Sequence, residues 1–518
     1  MTFVLAGRTA SEISTAVETG VRSGDLPPGA ALPPIRAAAT QLGVSPATVA
    51  AAYQSLRQRG IAESAGRQGT RVRPRPSVAS ARGRFRLEVP PGVLDLASGA
   101  PDPRLLPDLA PAFAALAAAP APTGYAGGTG HPPLRAKARE LLTRDGIDAT
   151  ELAVVGGALD GIERLLGAHL LPGDRVAVED PGWANLLDLV AALGLRPVPV
   201  PVDESGPDPQ RLADALRGGA RAVVVTSRAH NPTGASVTAE RAADLRAALA
   251  PHPGVLVIED DHAAELSVEP LHPLSGATEA WGFVRSVSKP YGPDLRLAVV
   301  AGDATSIARL TGRQRLGTGW VSLILQRLVA ALWSDPAVAS TVAAARDEYE
   351  ARRTGLVTAL RERGLPVTGR TGINVWLSVP DETVAVARLR ESGYAVAPGA
   401  LYRINTPPAV RITIAALDLP AIPALADAAA RRVRLAAHSG GLTQQWFDQA
   451  GSRGHRNGSS ESTEYVDSIE GDVMRPHLTM DQRQWKPMRR VGVVEAGRFA
   501  RQADRYTFPA RRVVRYCC

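Results

Sequence analysis

SVSKPYGPDLR, residues 286–296, holds one of only three lysines in a chain that has 56 arginines. It follows an apolar run typical of a buried strand, and Lys289 has small hydroxyl residues beside it and Arg296 seven residues on. Arginine can replace lysine at most surface positions, but a guanidinium stays protonated, whereas a desolvated lysine can lose its proton and condense with an aldehyde. Lys289 is therefore a candidate for covalent chemistry, and the alternative is chance retention on a surface loop.

Two strings upstream of this segment place phosphate-binding and ring-stacking groups at the ends of predicted strands. VVGGALDGI (154–162) puts two glycines where a strand meets a helix, so backbone N–H groups and the helix dipole can receive a phosphate. EDPGW (179–183) ends another strand with Trp183, whose ring could stack on a planar heterocycle. Each string alone has a plain structural alternative, a tight turn in one case and a core aromatic residue in the other.

Two further strings add polar groups that suit a pyridine ring. SRAHNPTGA (227–235) offers the carboxamide of Asn231, and VIEDDHAAE (257–265) ends a strand with Asp260, whose carboxylate can hold a ring nitrogen protonated. Asp260 could instead cap the following helix. All four strings lie at strand ends, where α/β sheets bind ligands, and together with Lys289 they suit a phosphorylated aromatic aldehyde.

Residues 94–437, which contain these strings, predict an α/β domain. Short apolar runs alternate with helical patterns, and their continuous apolar character is typical of strands buried on both faces; the clearest runs are RVAVED, RAVVVTS, GVLVIED and RLAVVAG. Such alternation predicts a mostly parallel sheet covered by helices.

The N-terminal residues 8–73 predict a small DNA-reading unit. The pattern indicates, in order, an amphipathic helix over 9–24, a second helix over 35–42, a turn at Gly43, a third helix with Ser45 as N-cap, and a two-stranded basic wing over 61–72. A helix, a turn, a helix and a wing in this order form a module that places one helix in the major groove. A three-helix packing module without a DNA partner is the alternative.

The charge distribution agrees with a nucleic-acid partner for this unit alone. Residues 1–86 carry 12 arginines and 4 acidic residues, residues 439–518 carry 13 basic and 9 acidic residues, and the chain as a whole has a net charge of +8. The middle of the chain is therefore mildly acidic. A general excess of arginine would have made the middle basic as well, so the basic N-terminal unit favours binding to DNA.

Two segments show no sustained periodicity. Residues 74–93 are rich in Pro, Arg and Ser, which predicts a linker between two domains. Residues 438–518 lose the Ala/Leu/Val pattern, which predicts a poorly ordered tail; a binding segment and a read-through terminus fit it equally. The only cysteines are Cys517 and Cys518, and no export signal or membrane span is evident, so we expect a cytoplasmic protein without membrane contact.

The patterns LPPGxxLPPxR, LGVSPxTVxxAYxxLxxxG and GxxGTxV in residues 26–72 resemble the winged helix-turn-helix of the GntR family. By position, this resemblance implies that the following residues contact the DNA: Arg36, Ser45, Thr48, Arg67, Gly69 and Thr70. Where the family usually has a basic residue after the N-cap serine, this chain has Pro46. We therefore expect arginine contacts to phosphates to carry much of the affinity.

The strings around Lys289, in their order, resemble fold-type I pyridoxal-phosphate enzymes of the class I aminotransferase group over residues 95–435. The resemblance implies pyridoxal 5′-phosphate as cofactor and no metal. It implies that Lys289 is the catalytic lysine that forms the internal aldimine, that Asp260 pairs with the pyridine nitrogen, that Asn231 bonds the phenolic oxygen and that Trp183 stacks on the ring. The implied phosphate ligands are Gly157, Ala158, Ser286, Ser288 and Arg296.

Three more positions carry implications from the same resemblance. Tyr125 matches a tyrosine that reaches the phosphate of the partner subunit, which implies a head-to-tail homodimer. Arg411, in AVRITIA, matches the arginine that grips the carboxylate of an amino-acid substrate through a bidentate fork. His262 stands where relatives carry a tyrosine that donates to the phenolic oxygen, and because histidine titrates near neutrality, the tuning of the aldimine is expected to differ.

A GntR-type domain joined to an aminotransferase-like domain is similar to the MocR/GabR group of bacterial transcription regulators. This implies a DNA-binding regulator that senses an amino compound through aldimine chemistry at Lys289, with weak transaminase activity at most. Two alternatives stay open. One is a working aminotransferase with an appended DNA-binding module, and the other is a regulator for which pyridoxal phosphate itself is the signal.

Overall fold

The structure is a computed structural model that describes residues 3, 5–23, 25–58, 61–64, 69–73, 82, 89–118 and 130–439. Two of the predicted site residues, Arg67 and Tyr125, lie outside the described residues, and so does the predicted tail from residue 440 onward. The predictions for these residues stay predictions.

The N-terminal part has the predicted helix, turn, helix and wing. Its elements are α1 (Ala10–Ser23), α2 (Ile35–Leu42), α3 (Pro46–Gln58), β1 (Ala62–Ser64) and β2 (Thr70–Val72), with β1 and β2 antiparallel. Gly43 ends α2 in the left-handed conformation at φ 65°, where glycine has no Cβ to clash. The apolar residues spaced along the helices meet in one buried cluster that includes Ile13, Val17, Val49 and Tyr53. The amphipathic spacing thus accounts for the packing of this unit.

The large sheet lies in the second part of the chain and has the order β4-β11-β10-β9-β8-β5-β6-β7. After β3 (Leu94–Leu96), its strands are β4 (Leu152–Val155), β5 (Arg175–Asp180), β6 (Arg196–Asp203), β7 (Gly206–Pro207), β8 (Ala220–Thr226), β9 (Leu256–Asp261), β10 (Ala280–Ser286) and β11 (Ala298–Gly302). Five neighbouring strands of this sheet are parallel to one another, as the apolar runs predict; in sheet order they are β10, β9, β8, β5 and β6. β11 is antiparallel to β10 because the connection through Lys289 is too short for a crossover helix.

Helices alternate with the strands in this part of the chain, as the sequence pattern predicts. They are α4 (Ala110–Ala117), α5 (Pro132–Arg144), α6 (Ala158–His169), α7 (Ala184–Ala192), α8 (Pro209–Arg217), α9 (Ala239–Leu249), α10 (Ser288–Tyr291), α11 (Ala304–Leu316), α12 (Leu323–Ser334), α13 (Pro336–Glu362), α14 (Glu382–Glu391) and α15 (Ile422–Ser439). Two large apolar clusters fill the space between sheet and helices. Among the described residues no single helix is long and apolar enough to cross a membrane, and only α12 with α13, bent by 77°, meet that test as a pair.

A second, smaller sheet has the order β12-β13-β15-β14-β3, with β12 (Val367–Thr368), β13 (Asn374–Ser378), β14 (Tyr394–Pro398) and β15 (Ala409–Thr413). Its edge strand β3 pairs in parallel with β14, although it lies about 300 residues earlier in the chain. β3 is also the first strand after the predicted linker 74–93. The linker therefore leads directly into the smaller sheet.

Candidate functional site

A cavity of about 650 Å³, here called the Lys289 cavity, brings together most of the residues predicted from the strings. Its lining contains Ala158, Trp183, Asn231, His262, Ser286, Ser288, Lys289, Arg296 and Arg411. Five of the predicted strings and the AVRITIA string thus converge on one concave site. The five strings lie at the ends of β4, β5, β8, β9 and β10.

Lys289 lies on α10, the single helical turn that follows β10. Its Nζ donates a hydrogen bond to the carbonyl oxygen of Gly99. The pKa of Lys289 is lowered to about 8, mainly by burial; the positive charge of Arg411 acts in the same direction and Asp260 acts in the opposite one. A substantial fraction of the amine is therefore neutral near physiological pH, which is the form that attacks a carbonyl.

Asp260 is buried near the end of β9. Its Oδ2 lies 3.1 Å from Nδ1 of His262, whereas its Oδ1 is buried and has no hydrogen-bond partner among the described residues. A buried carboxylate oxygen without a donor is costly, so this atom suits a ligand that brings an N–H group. His262 lines the cavity and is held by Asp260, an arrangement that sequence reasoning did not anticipate.

Arg411 reaches the cavity from β15 of the smaller sheet. Its Nη1 donates to Oδ1 of Asn231 at 3.0 Å, its Nη2 donates to the carbonyl of Ala97, and its guanidinium carbon lies 4.7 Å from the ring centre of Tyr402. Its Nε is buried without a partner in the described residues. Because Oδ1 of Asn231 is taken by Arg411, the amide N–H₂ of Asn231 remains as a donor for a ligand.

The predicted phosphate-binding region lies at the N-terminus of α6. Gly157 precedes the helix with φ 117°, and a Cβ at this position would lie 3.0 Å from Nη2 of Arg296. Arg296 itself has φ 42° and is exposed, and its Nη2 lies 3.4 Å from the carbonyl of Gly156. Ser286 and Ser288 line the same cavity, and Oγ of Ser286 accepts a hydrogen bond from the N–H of Ser288. Helix N–H groups, two hydroxyls and one guanidinium form a site suited to an oxyanion.

Trp183 lies at the N-terminus of α7, and the next two residues of that helix also line the cavity. At the opposite end of α7 the carbonyl of Gly194 accepts a hydrogen bond of 2.6 Å from Nη2 of Arg73. Arg73 immediately follows the wing strand β2 and also lies 3.9 Å from the carboxylate of Glu63 in β1. One helix therefore contacts the cavity at one end and the wing at the other.

The residues that are predicted to contact DNA and that the structure describes lie in the N-terminal unit. Oγ of Ser45 accepts the N–H of Thr48 at 3.1 Å, which confirms the predicted N-cap of α3. Arg36, Ser45 and Gly69 are exposed, and Thr48 and Thr70 are half-buried. Arg71 of the wing instead donates to the carbonyl of Gly29, so it stabilises the fold of the unit.

Sequence reasoning missed several residues that line the cavity. Ala97 and Gly99 contact Arg411 and Lys289 through backbone oxygens, a contact that carries no sequence signature. Tyr402 and Arg82 also line the cavity, and Arg82 comes from the segment predicted as a linker. Within the described ranges no group of three or more His, Cys, Asp or Glu residues could hold a metal ion.

Comparison with known families identifies both parts of the chain. Residues 91–428 match the model of the aminotransferase class I and II family, and residues 9–72 match the model of bacterial regulatory proteins of the gntR family.

Relatives with both parts are transcription regulators. The vitamin B6 salvage pathway transcriptional repressor PtsJ of Salmonella typhimurium is 41% identical over 82% of this chain and 98% of its own length. The pyridoxine biosynthesis transcriptional regulator PdxR of Corynebacterium glutamicum is 32% identical over 51% of this chain and 59% of its own length.

Solved structures with a similar fold are aminotransferases. The kynurenine aminotransferase of Pyrococcus horikoshii is similar with a TM-score of 0.60 at 22% identity, over 67% of this chain and 91% of that one. LysN, the α-aminoadipate aminotransferase of Thermus thermophilus, solved with N-(5′-phosphopyridoxyl)-L-leucine, has a TM-score of 0.59 at 23% identity, over 70% of this chain and 97% of that one. At these identities the similarity concerns the fold.

Proposed function

The chain belongs to the aminotransferase class I and II family and carries a gntR-family regulatory domain at its N-terminus, and from this premise we propose that it is a pyridoxal-phosphate-dependent transcription regulator. Its ligand-sensing site is the Lys289 cavity, and its partner is double-stranded operator DNA. Its predicted place of action is the cytoplasm.

The residues of the cavity fit pyridoxal 5′-phosphate. The buried and unpartnered Oδ1 of Asp260 suits the protonated nitrogen of a pyridine ring, and Asn231 keeps a free amide N–H₂ for the phenolic oxygen. Trp183 would stack on the ring, and Arg296 with the N-terminus of α6 would hold the phosphate. When bound, the cofactor supplies an aldehyde that condenses with primary amines.

The chain's own groups prepare this site for an amine that carries a carboxylate. Lys289 is neutral in part near pH 7 because burial lowers its pKa to about 8. Arg411 is held in place by Asn231 and Tyr402, and the contact of its Nη2 with the Ala97 carbonyl can be exchanged for a ligand carboxylate. His262 is held by Asp260 and would stand near the same ring.

The observation that favours a regulator over an enzyme with a passive appendage is the contact between Arg73 and Gly194. It joins the wing to α7, whose first residues line the cavity. A ligand shifts an equilibrium only if it prefers one of two arrangements, and a change at Trp183 is transmitted along a rigid helix to this hydrogen bond. A change in the cavity can therefore reach the DNA-binding unit through α7 and the hydrogen bond between Arg73 and Gly194.

Two signals are compatible with this site. An amino compound is favoured by Arg411, which pyridoxal phosphate alone does not require. Pyridoxal phosphate itself is favoured by the relatives, since PtsJ is named for vitamin B6 salvage and PdxR for pyridoxine biosynthesis. In both cases we expect a homodimer and weak transamination at most.

The first test is the visible absorbance of the purified protein after addition of pyridoxal phosphate, compared with Lys289→Ala. The wild type is expected to develop the absorbance of a lysine-bound cofactor, and the variant is not. Absence of this absorbance from the wild type would disprove cofactor binding at Lys289.

The second test measures binding to operator fragments, selected from the organism's genomic DNA with the wild-type protein, without cofactor, with cofactor, and with cofactor plus an amino acid. Arg73→Ala is expected to keep cofactor absorbance and DNA binding but to lose most of the effect of the ligand. Arg196→Ala, an exposed arginine of β6, serves as the matched control. Multiple turnovers of amino donor and keto acid at ordinary enzyme rates would contradict the regulator and favour the enzyme.

A further inference from the structure

One buried carboxylate outside the lining of the Lys289 cavity holds a segment that contributes to this lining. Asp180 is the last residue of β5, and only 3% of its surface is exposed. Its Oδ1 accepts a hydrogen bond from the N–H of Ile404 at 2.8 Å, and its Oδ2 accepts from the N–H groups of Asn405 and Thr406 at 2.7 and 3.1 Å. Three successive backbone N–H groups thus converge on a single carboxylate, which is the pattern of an anion-binding turn.

The segment held by Asp180 belongs to the smaller sheet, whereas Asp180 itself ends a strand of the large sheet. Residues 399–408 connect β14 to β15, the strand that carries Arg411. The N–H of Gly182, two residues after Asp180, donates to the carbonyl of Tyr402 at 2.7 Å, and Tyr402 lines the cavity. Residues 180–182 therefore join the connection before β15 to the end of β5.

Tyr402 links this connection to the arginine that is suited to a carboxylate. Its ring centre lies 4.7 Å from the guanidinium carbon of Arg411. The same ring packs at 89° against Trp376, with 6.1 Å between the ring centres, and Trp376 is the residue of β13 that pairs with Arg411 in the sheet. A guanidinium is planar and presents its N–H groups as a rigid fork, so an aromatic ring beside it restricts the plane in which the fork can bind a carboxylate.

We propose that Asp180 is a positioning residue for carboxylate recognition: it holds the segment that carries Tyr402, whose ring aligns Arg411 with the carboxylate of an amino compound. Asp180 does not line the cavity, so it acts through this segment and not by contact with the ligand. The inference rests on the proposed amine-sensing function of the cavity. It adds a residue that determines the preference for amino acids over simple amines.

The test compares amines in pairs that differ only in the carboxylate, L-alanine with ethylamine and L-leucine with 3-methylbutylamine. Full-length protein is loaded with pyridoxal phosphate, and the dissociation constant of each amine is obtained from the change in cofactor absorbance. The preference is the ratio of the two constants within a pair. A purely structural role of Asp180 would weaken both members of a pair and leave this ratio unchanged.

The variants are Asp180→Asn, Tyr402→Leu and the double variant, with Asp174→Asn as the matched control. Asparagine keeps the size of aspartate, but its amide N–H₂ cannot accept the hydrogen bonds that the second carboxylate oxygen accepts. Asp174 lies just before the other end of β5, where its Oδ2 accepts the N–H of Leu171 at 2.8 Å, and it does not line the cavity.

We expect the wild type and Asp174→Asn to bind the amino acid of at least one pair about 100-fold more tightly than its simple amine, as charged hydrogen bonds in a fork allow. In Asp180→Asn the preference should fall to about 10-fold, with unchanged affinity for the simple amines and the cofactor. Tyr402→Leu should lower it to a similar extent. The double variant should also retain about 10-fold, because two residues that act through one contact do not have additive effects.

A measurement on the wild type does not depend on the folding of any variant. L-Alanine should slow the hydrogen exchange of the backbone amides of residues 404–406, followed by mass spectrometry, whereas ethylamine should not. The reason is that coupling is reciprocal: if the contacts of Asp180 favour a carboxylate at Arg411, a carboxylate at Arg411 favours the contacts of Asp180.

Several results would overturn the inference and leave amine sensing intact. These are a wild type without preference in either pair, an unchanged preference in folded Asp180→Asn, an equal loss for both members of a pair, an additive loss in the double variant, or equal exchange with L-alanine and ethylamine. If the cofactor binds but none of the four amines alters its absorbance, amine sensing itself is wrong and this inference with it.

Discussion

The rate at which the protein combines with pyridoxal phosphate is expected to follow the unusual pKa of Lys289. Burial lowers this pKa from the usual 10.5 to about 8, and the charge of Arg411 contributes in the same direction. Only the neutral amine attacks an aldehyde, so the rate should rise with pH and level off above about pH 8.

The size of the expected rate difference follows from the lowered and the usual pKa of a lysine amine. At pH 7.5 roughly a quarter of an amine with a pKa of about 8 is neutral, against roughly 0.1% at a pKa of 10.5. Lys289 should therefore react about 200-fold faster at this pH than an unperturbed lysine of equal access.

Replacing Arg411 by an uncharged residue removes the positive charge beside Lys289. Arg411→Gln should raise the pKa of Lys289 above about 8 but keep it below 10.5, because burial, the largest cause, remains. Arg411→Lys retains a positive charge and should leave the profile close to that of the wild type. The assay is stopped-flow absorbance of cofactor association between pH 6 and pH 10, with the folded state of each variant checked by circular dichroism.

A wild-type rate that continues to rise through pH 9 with the profile of a free lysine would contradict the lowered pKa of Lys289. A folded Arg411→Gln variant with the same midpoint as the wild type would contradict the contribution of Arg411. In that case burial alone would account for the lowered pKa.

Three further predictions concern positions with matched controls or single contacts. Gly157→Ala should weaken cofactor affinity by about 10-fold to 100-fold, because φ 117° and the approach of 3.0 Å to a guanidinium both oppose a Cβ, whereas Gly173→Ala, with φ 100° and open space, should lower only the melting temperature. Asp261→Asn should destabilise the fold by about 3–5 kcal/mol in urea unfolding, since it removes the carboxylate that the buried Arg228 and Arg285 share, while Asp260→Asn should chiefly weaken cofactor binding. Ser45→Ala should cost the N-terminal unit about 1 kcal/mol through the lost N-cap and reduce DNA affinity; unchanged unfolding would show that the cap is unimportant.

Much of the fold was predictable because its signals are local. The apolar runs gave the parallel strands β5, β8 and β9 almost to the residue, and Gly43 and Ser45 marked the turn between α2 and α3. The smaller sheet was not predicted, because its pairing of β3 with β14 joins residues far apart in the chain. Short strands whose partners are distant carry little periodic signal of their own.

The same distinction applies to the site. Asn231 follows β8 and lines the cavity, and Asp260 near the end of β9 contacts His262 of its lining, because parallel strands bring their ends together. The presence of Arg82 in the lining could not be predicted, since residues 74–93 have no periodicity. The hydrogen bond between Asp260 and His262 depends on the rotamers of the two side chains, which their spacing in the sequence does not determine.

The turn after β3 competes with ligands for two cationic side chains of the cavity. The carbonyls of Ala97 and Gly99 bind Arg411 and Lys289, so an incoming carboxylate and aldehyde have to replace them. The observed affinity of each ligand is therefore lower than its intrinsic affinity by the cost of that exchange, which sets a concentration threshold for the response.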